Sequence, residues 1–218
     1  MKNNSASVLA FAAASFVGTA CSVWAFPQVS QVTMNRHTYS RTVDITYTLS
    51  AEAAIVTLAI ETNGVALPDR EVATLSGDVN KRVSGAGPHG IAWQAGIDWP
   101  ENQVTNAQAK VTAWSTNNPP DYAVIDLAAG AGASSYPVSY YTGAEALPDG
   151  GLTNDVYRTD RLVLRRIHTQ AEYPANGVFP MGSPVVENGR DKLYWGSAMN
   201  EDQHLVSLTR DYYLGVFE

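Results

Sequence analysis

Alternation of apolar and polar residues with a period of two is the feature that most constrains the fold of this chain. It is clearest over residues 43–50, 56–61 and 109–114, where apolar side chains stand at every second position. Successive side chains of a β-strand point to opposite faces of a sheet, so each stretch predicts a strand with one buried and one solvated face. We therefore expect antiparallel sheets in this part of the chain.

Turn-forming residues separate these stretches at short intervals, as in Asn63-Gly64, Ser76-Gly77-Asp78 and Asn117-Asn118-Pro119-Pro120. About one hundred residues that hold about seven or eight short strands and frequent turns are typical of a two-sheet sandwich. We predict a mainly β fold, with an immunoglobulin- or fibronectin III-like antiparallel β-sandwich as an accessory domain at residues 26–128. The strand expected at 121–127 belongs either to this sandwich or to the connection that follows it.

Three tryptophans supply candidate core and ligand-binding residues. Trp93 ends an apolar run and is expected to fill the space between the two sheets. Trp99 lies in an Asp-Trp-Pro turn and is expected to pack over one end of the sandwich, whereas Trp114 lies on the strand face opposite Val111. Amphipathic aromatic rings suit the apolar faces of sugars. Trp99 and Trp114 are therefore candidates for a ligand platform, and core or edge packing is the alternative interpretation.

The composition changes after the predicted sandwich. Residues 128–135 are only Ala, Gly and Ser, which predicts a flexible linker at 129–136. The lead-in region 137–178 contains two further predicted strands, at 138–142 and 161–167. In the second, apolar residues alternate with basic ones, so we expect one solvated side. Arg165, Arg166 and His168 are interpreted as part of that solvated strand face.

The first 25 residues have the layout of a secretory signal peptide, with Lys2, an apolar stretch at 8–20 and a cleavage site of the A-x-A kind at Val23-Trp24-Ala25. This predicts export to the periplasm, the cell surface or the medium, with an N-terminal membrane anchor as the alternative. The only cysteine, Cys21, lies in this segment, and lipid attachment there is a further alternative. Cleavage after Ala25 leaves no thiol, which excludes disulfides and cysteine-based chemistry from residues 26–218.

Charge and histidine spacing narrow the functional classes. The formal net charge of −7 becomes −8 when Lys2 is removed with the signal peptide. An acidic chain offers no basic surface to phosphate backbones, so we expect no nucleic-acid binding. We also expect no membrane span in the mature chain. The spacing of the histidines predicts no metal site; these are His37, His89, His168 and His204. We predict no catalytic, cofactor-binding or metal-binding residue in this chain.

The last part of the chain carries a set of motifs in a fixed order. They are Phe179, Met181, Gly182 and Ser183, then Glu201 and His204, then Val206 and Leu208, and finally Tyr213, Gly215 and Glu218. Residues 179–218 thereby resemble the opening of the formylglycine-generating enzyme (sulfatase-modifying factor) family. That opening has a Phe-x-Met-Gly-Ser segment, an acidic residue before a histidine, a Val-x-Leu strand and a Tyr-x-Gly-x-x-Glu strand. Gln203 departs from the pattern, because a proline often precedes the histidine.

Short apolar, β-prone runs bounded by charge predict strands at 205–208 and 212–217. The resemblance implies that residues 179–218 are the incomplete start of a C-type-lectin-related α+β domain. Residues 137–178 resemble the lead-in found ahead of such domains in some bacterial exported proteins. The family's reactive cysteines lie beyond residue 218, and copper or calcium is implied only for that missing part. Two strands alone cannot bury their apolar faces, so we expect 179–218 to be less protected from amide exchange than the sandwich.

Two functional hypotheses follow. In the first, the chain is an accessory and positioning module whose partner is the rest of its own catalytic-type domain. By resemblance, the complete parent oxidises a cysteine to formylglycine with copper and oxygen, carries out iron-dependent C–S chemistry, or is a binding scaffold. In the second hypothesis, the sandwich is a non-catalytic module that binds a polysaccharide or a cell-surface protein.

Overall fold

A computed structural model of the chain describes residues 26–101, 106–169, 178–182 and 203–217. These residues are mainly β and form antiparallel sheets, which confirms the class predicted from the alternation. The predicted signal peptide with Cys21 lies outside the described residues, as do the motif residues Ser183, Glu201 and Glu218.

The first two sheets are built from the chain before residue 115. The first sheet has the order β1 (Val29–Arg36), β2 (Val43–Leu49), β7 (Gly87–Trp93) and β5 (Leu75–Gly77). The second has the order β4 (Val65–Ala66), β3 (Ala53–Thr62) and β6 (Lys81–Ser84), and β8 (Ala107–Trp114) also pairs with β3. The strands β2, β3 and β8 coincide with the three stretches of clearest alternation in the sequence.

Side chains from both sheets meet in one hydrophobic core. Ile45, Tyr47 and Trp93 come from the first sheet and Val56 and Ile60 from the second, and all five are at most 1% exposed. Full burial of a large apolar side chain stabilises a fold by about 1.5–3 kcal/mol relative to exposure. The predicted position of Trp93 between the sheets is confirmed.

A short helix, α1 (Ala95–Asp98), follows β7 and fixes the core tryptophan. The carboxylate of Asp98 accepts hydrogen bonds from the indole N–H of Trp93 at 3.0 Å and from the backbone N–H of Thr74 at 2.6 Å. The Thr74 hydroxyl also donates to this carboxylate. A buried indole N–H is costly when unsatisfied, so Asp98 allows Trp93 to be buried completely.

A third sheet follows the sandwich, in the order β10 (Val138–Tyr141), β9 (Tyr122–Asp126), β11 (Arg161–Ile167) and β14 (Tyr212–Gly215). The strands β12 (Val178–Met181) and β13 (His204–Ser207) form a separate pair. β9 pairs with β10 and β11. The strand predicted at 121–127, which the sequence assigned either to the sandwich or to the connection, is β9, and it therefore belongs with the strands that follow the predicted linker.

One face of the third sheet is covered by the segment between β10 and β11. This segment contains 3-10 turns at Ala144–Ala146 and Gly151–Thr153 and the short helix α2 (Val156–Thr159). Val124 and Val163 of the sheet pack with Leu147 and Tyr157 of the segment, and these four side chains form a second, smaller core.

The third sheet also contacts the sandwich. The backbone N–H of Tyr140 on β10 donates to the carbonyl oxygen of Asn80, in the turn before β6, at 2.7 Å, and β10 also contacts β6 and β3. On β3, Ile55 lies on the face away from the shared core and is nevertheless only 2% exposed. The outward face of the second sheet is therefore covered around Ile55.

Candidate functional site

Four ionisable side chains join β11 to the segments that lead into β9 and β14. Arg166 lies on β11 and His168 follows its last residue, while Asp121 precedes β9 and Asp211 precedes β14. We call these four residues the Asp211 cluster. The cluster connects positions up to 90 residues apart, because antiparallel pairing places the end of β11 beside the starts of both neighbouring strands.

Asp211 is the acceptor for three donors. Its Oδ2 accepts from the Arg166 guanidinium at 2.8 Å and lies 3.0 Å from Nδ1 of His168. Its Oδ1 accepts from the backbone N–H of Thr169 at 3.1 Å. Arg166 donates a further bond to the carbonyl oxygen of Pro119 at 2.6 Å. The start of β14 is thereby attached both to β11 and to the end of the loop that precedes β9.

The prediction that Arg166 lies on a solvated strand face is wrong. Arg166 is buried, with 9% exposure, because β14 pairs with β11 at this position and Tyr213 stands opposite it. A buried arginine needs a counter-charge and hydrogen-bond acceptors, which Asp211 and Pro119 provide. The local sequence around Arg166 is the same whether the arginine faces solvent or pairs with a distant carboxylate, so it could not predict the burial of Arg166.

His168 is held by carboxylates on both sides. Its Nε2 lies 2.7 Å from Oδ1 of Asp121, and its Nδ1 lies 3.0 Å from Asp211. The hydrogen bond to Asp121 and, beyond it, the one to Asp211 raise the pKa of His168 despite its partial burial. Ionised carboxylates only accept hydrogen bonds, so the geometry fits a doubly protonated imidazolium. Both ring nitrogens are occupied, which suits attachment of segments better than proton transfer to a substrate.

The pKa of Asp211 moves the opposite way. Burial alone would raise it, but the hydrogen bonds from His168 and from the Thr169 N–H, with the charge of Arg166, lower the pKa below its usual range. Asp211 is therefore ionised throughout the neutral range. The hydroxyl of Thr169 is buried beside this cluster, and the described part of the chain provides it with no hydrogen-bond partner.

A second histidine is held in a similar way inside the sandwich. His89 on β7 lies 2.9 Å from the Asp78 carboxylate through Nδ1 and 2.9 Å from the Gly85 carbonyl oxygen through Nε2. Burial lowers the pKa of His89, but these two hydrogen bonds raise it overall. Lys81 also contacts Asp78 at 3.2 Å, and the His89 ring stacks on Tyr47. The arrangement fixes the turns on either side of β6.

The two tryptophans predicted as a ligand platform lie on different elements. Trp99 follows α1 and packs, partly buried, against the shared core of the sandwich. Trp114 ends β8 opposite Ile55, is partly buried, and donates its indole N–H to the Thr57 hydroxyl at 2.8 Å. No ring contact joins the two indoles among the described residues.

A cleft of about 500 Å³ lies where the 3-10 turn Asp69–Glu71 of the sandwich meets residues 144–152. Its charged lining residues are Arg70, Glu145 and Asp149, and its apolar ones include Leu147, Pro148 and Leu152. Burial, followed by the nearby charge of Glu145, raises the pKa of Asp69 at this junction. Volumes of about 300–1,000 Å³ are usual for small-molecule sites, and such sites favour domain interfaces.

Sequence reasoning missed this cleft. Its walls come from turns more than 70 positions apart, and neither turn contains a recognisable binding motif. The sequence feature nearest to this cleft is the predicted turn at Pro148-Asp149-Gly150-Gly151. In the structure, Asp149, Gly150 and Gly151 all have positive φ angles. Asp149 is held by Arg161 at 2.8 Å, which fixes this wall to β11.

Most described residues of the family-like motifs lie on paired strands, whereas Gly182 and Leu208 come directly after β12 and β13. In the pair β12–β13, Phe179 stands opposite Val206 and Met181 opposite His204. On β14, Gly215 stands opposite Leu164 of β11, and the hydroxyl of Tyr213 donates to the Pro120 carbonyl oxygen.

Within residues 26–101, 106–169, 178–182 and 203–217, no group of three or more His, Cys, Asp or Glu side chains is placed to hold a metal ion. In the same residues, no helix has the length and apolar character needed to cross a membrane. Comparison of the chain with family models, with curated proteins and with solved structures finds no match.

Proposed function

We propose that this chain is the accessory and positioning module of an exported protein that resembles formylglycine-generating enzymes. The observation that carries the proposal is the attachment of β14, the strand with the family-like Tyr-x-Gly motif, to β11 through the Asp211 cluster. In this function the sandwich does not perform chemistry itself. It holds β14, a strand of the family-like segment 179–218, in a defined position.

A continuous set of contacts supports this role. The sandwich is bonded to β10 through Asn80 and Tyr140. From β10, backbone pairing runs through β9 and β11 to β14. Arg166 is buried and bound to Asp211. If Asp211 were removed while Arg166 stayed buried, the arginine would keep an uncompensated charge, which costs about 3–5 kcal/mol.

The proposal assigns no catalytic, cofactor-binding or metal-binding residue to this chain. By resemblance, copper and oxygen chemistry belongs to the sequence that follows residue 218. A direct test incubates the purified chain with a cysteine-containing peptide, copper and oxygen, and measures aldehyde by hydrazide labelling and mass spectrometry. We expect no aldehyde above the level of a protein-free control, and formation of formylglycine by this chain alone would overturn the proposal.

The positioning role is tested in the complete parent protein. Asp211→Asn removes the charge that Arg166 and His168 share, and we expect it to lower the parent's activity or its partner binding. The matched control is Asp155→Asn, because Asp155 lies in the same module with an 87% exposed side chain. Equal function of both variants and the wild type would contradict the positioning role.

A second candidate function is binding of a polysaccharide or a cell-surface protein, and the cleft between the sandwich and residues 144–152 favours it. Glycan-array and pull-down assays on the full chain test this candidate. Ala73→Arg narrows the cleft from its exposed rim, whereas Trp99→Ala and Trp114→Ala remove the aromatic candidates. Loss of binding in Ala73→Arg alone would locate the ligand in the cleft, and loss of binding in the tryptophan variants alone would locate it on the indoles. Absence of any binding by the wild-type chain would reject this second function.

A further inference from the structure

We infer that His168 makes the attachment of β14 sensitive to pH, so that the strand is held most firmly while the imidazole carries both of its protons. The inference concerns regulation of the junction described above, and its biological meaning rests on the proposed function. The physical basis is a single imidazole placed between carboxylates from two separate segments, at 2.7 Å from Asp121 and 3.0 Å from Asp211.

Charge balance explains why the proton matters. With His168 protonated, the cluster contains two cations, Arg166 and His168, and two anions, Asp121 and Asp211. Loss of the histidine proton leaves one cation with two anions. The nearby Tyr213 hydroxyl does not compensate, because burial raises its pKa to about 12 and it stays neutral while donating to Pro120. The cluster therefore gains one net negative charge in a partly buried site.

Hydrogen-bond geometry points to the contact that opens. A neutral imidazole has one N–H, so its other nitrogen would place a lone pair against a carboxylate oxygen at hydrogen-bond distance. Asp211 keeps Arg166 and the Thr169 N–H as donors when the histidine changes state. The Asp121 side chain is 48% exposed, so water can solvate it when it is released. Deprotonation therefore detaches the Asp121 side. It also turns the charge-assisted hydrogen bond from His168 to Asp211 into a weaker bond from a neutral donor, so β14 is held less firmly at the end of β11.

The sign of the effect follows from the shifted pKa values. His168 has a raised pKa in the folded chain, so its contribution is complete below about pH 6.5 and is lost as pH rises through the folded pKa. Asp211 has a lowered pKa, so its contribution persists in acid until pH falls through that lower folded value. The junction is consequently firmest in a window between these two pKa values.

Amide hydrogen exchange on the full chain from pH 5 to 9 tests the inference, with rates corrected for the intrinsic pH dependence of exchange. We expect the protection of residues 212–216 to fall as pH rises through the pKa of His168, by at most about tenfold per pH unit. His168→Gln should remove this pH dependence, because glutamine does not titrate. The matched control is His37→Gln, since His37 pairs with Asp44 on the exposed side of β2 and should leave the trend intact.

A pH trend at residues 212–216 that persists unchanged in His168→Gln would overturn the inference, as would a wild-type chain with no trend. If His168→Gln fails to fold, an NMR titration of His168 in the wild-type chain decides the matter, and a pKa at or below about 6.5 contradicts the inference. The proposed function fails separately: protection of residues 212–216 that is absent at every pH would contradict attachment of β14 itself.

Discussion

Replacing Asp98 tests how the sandwich buries its central tryptophan. The Asp98 carboxylate receives the indole N–H of Trp93 and both the backbone N–H and the hydroxyl of Thr74. Asp98→Ala removes all three acceptor contacts and leaves the indole N–H, on a side chain that is only 1% exposed, without a partner. A buried donor left unsatisfied costs about 1–3 kcal/mol, and bonds to a charged acceptor contribute about 1.5–3 kcal/mol each.

The total is smaller than the sum of these contributions, because Asp98 is itself partly exposed and water can reach the Thr74 donors after substitution. We therefore expect Asp98→Ala to lower the free energy of unfolding by about 3 kcal/mol. Asp98→Asn keeps the volume and one carbonyl acceptor but turns its NH₂ group toward a donor, so we expect a loss of about 1–2 kcal/mol.

Urea unfolding of the full chain, followed by far-UV circular dichroism, measures both values. The control is Asp44→Asn on β2, whose carboxylate is 49% exposed and pairs with His37, and it should change stability by less than about 1 kcal/mol. The reasoning is refuted if Asp98→Ala is no more destabilising than this control. It is also refuted if Asp98→Asn is as damaging as Asp98→Ala, since the order of the two variants depends on the remaining acceptor.

Further predictions concern backbone geometry, protonation and the indole of β8. At Gly77, φ is +93° and an added Cβ would meet a backbone carbonyl oxygen, whereas at Gly64, φ is +75° and the space is open. Gly64→Ala should therefore lower the free energy of unfolding by about 1 kcal/mol, and Gly77→Ala should lower it by more, as measured by thermal unfolding. His89 has a raised pKa, so sandwich stability should fall as pH rises through that value and His89→Gln should flatten the urea-unfolding profile against pH. Trp114→Phe keeps an aromatic ring but removes the hydrogen bond at 2.8 Å to Thr57, and chemical unfolding should show a loss of about 1 kcal/mol.

Period-two alternation predicted the strands of the sandwich well because one face of each strand meets the shared core. Trp93 followed from the same pattern, since a large aromatic residue at the end of an apolar run fits the space between two sheets. The class of fold and the core tryptophan were therefore within reach of local sequence reasoning.

Local sequence patterns could not predict which distant segments pair with one another. Whether β9 joins the sandwich or the third sheet depends on hydrogen bonds to strands on the far side of a glycine-rich segment. Arg166 looks the same as a solvated arginine until Asp211, 45 positions later, is placed beside it. The cleft between the sandwich and residues 144–152 likewise exists only through the packing of the two regions. These features are long-range, and local pattern does not encode their partners.

The most direct test of whether the Asp211 cluster fixes β14 to β11 is amide exchange at residues 212–216 of the full chain. The exchange rates are compared between Asp211→Asn and Asp155→Asn at neutral pH. Val216, which donates to the Val163 carbonyl oxygen at 2.9 Å, is the most informative amide. We predict protection in the wild type and in Asp155→Asn, and exchange at least about tenfold faster in Asp211→Asn, which corresponds to the loss of about one charged hydrogen bond. Exchange at the intrinsic rate in the wild type, or equal protection in both variants, would contradict the account.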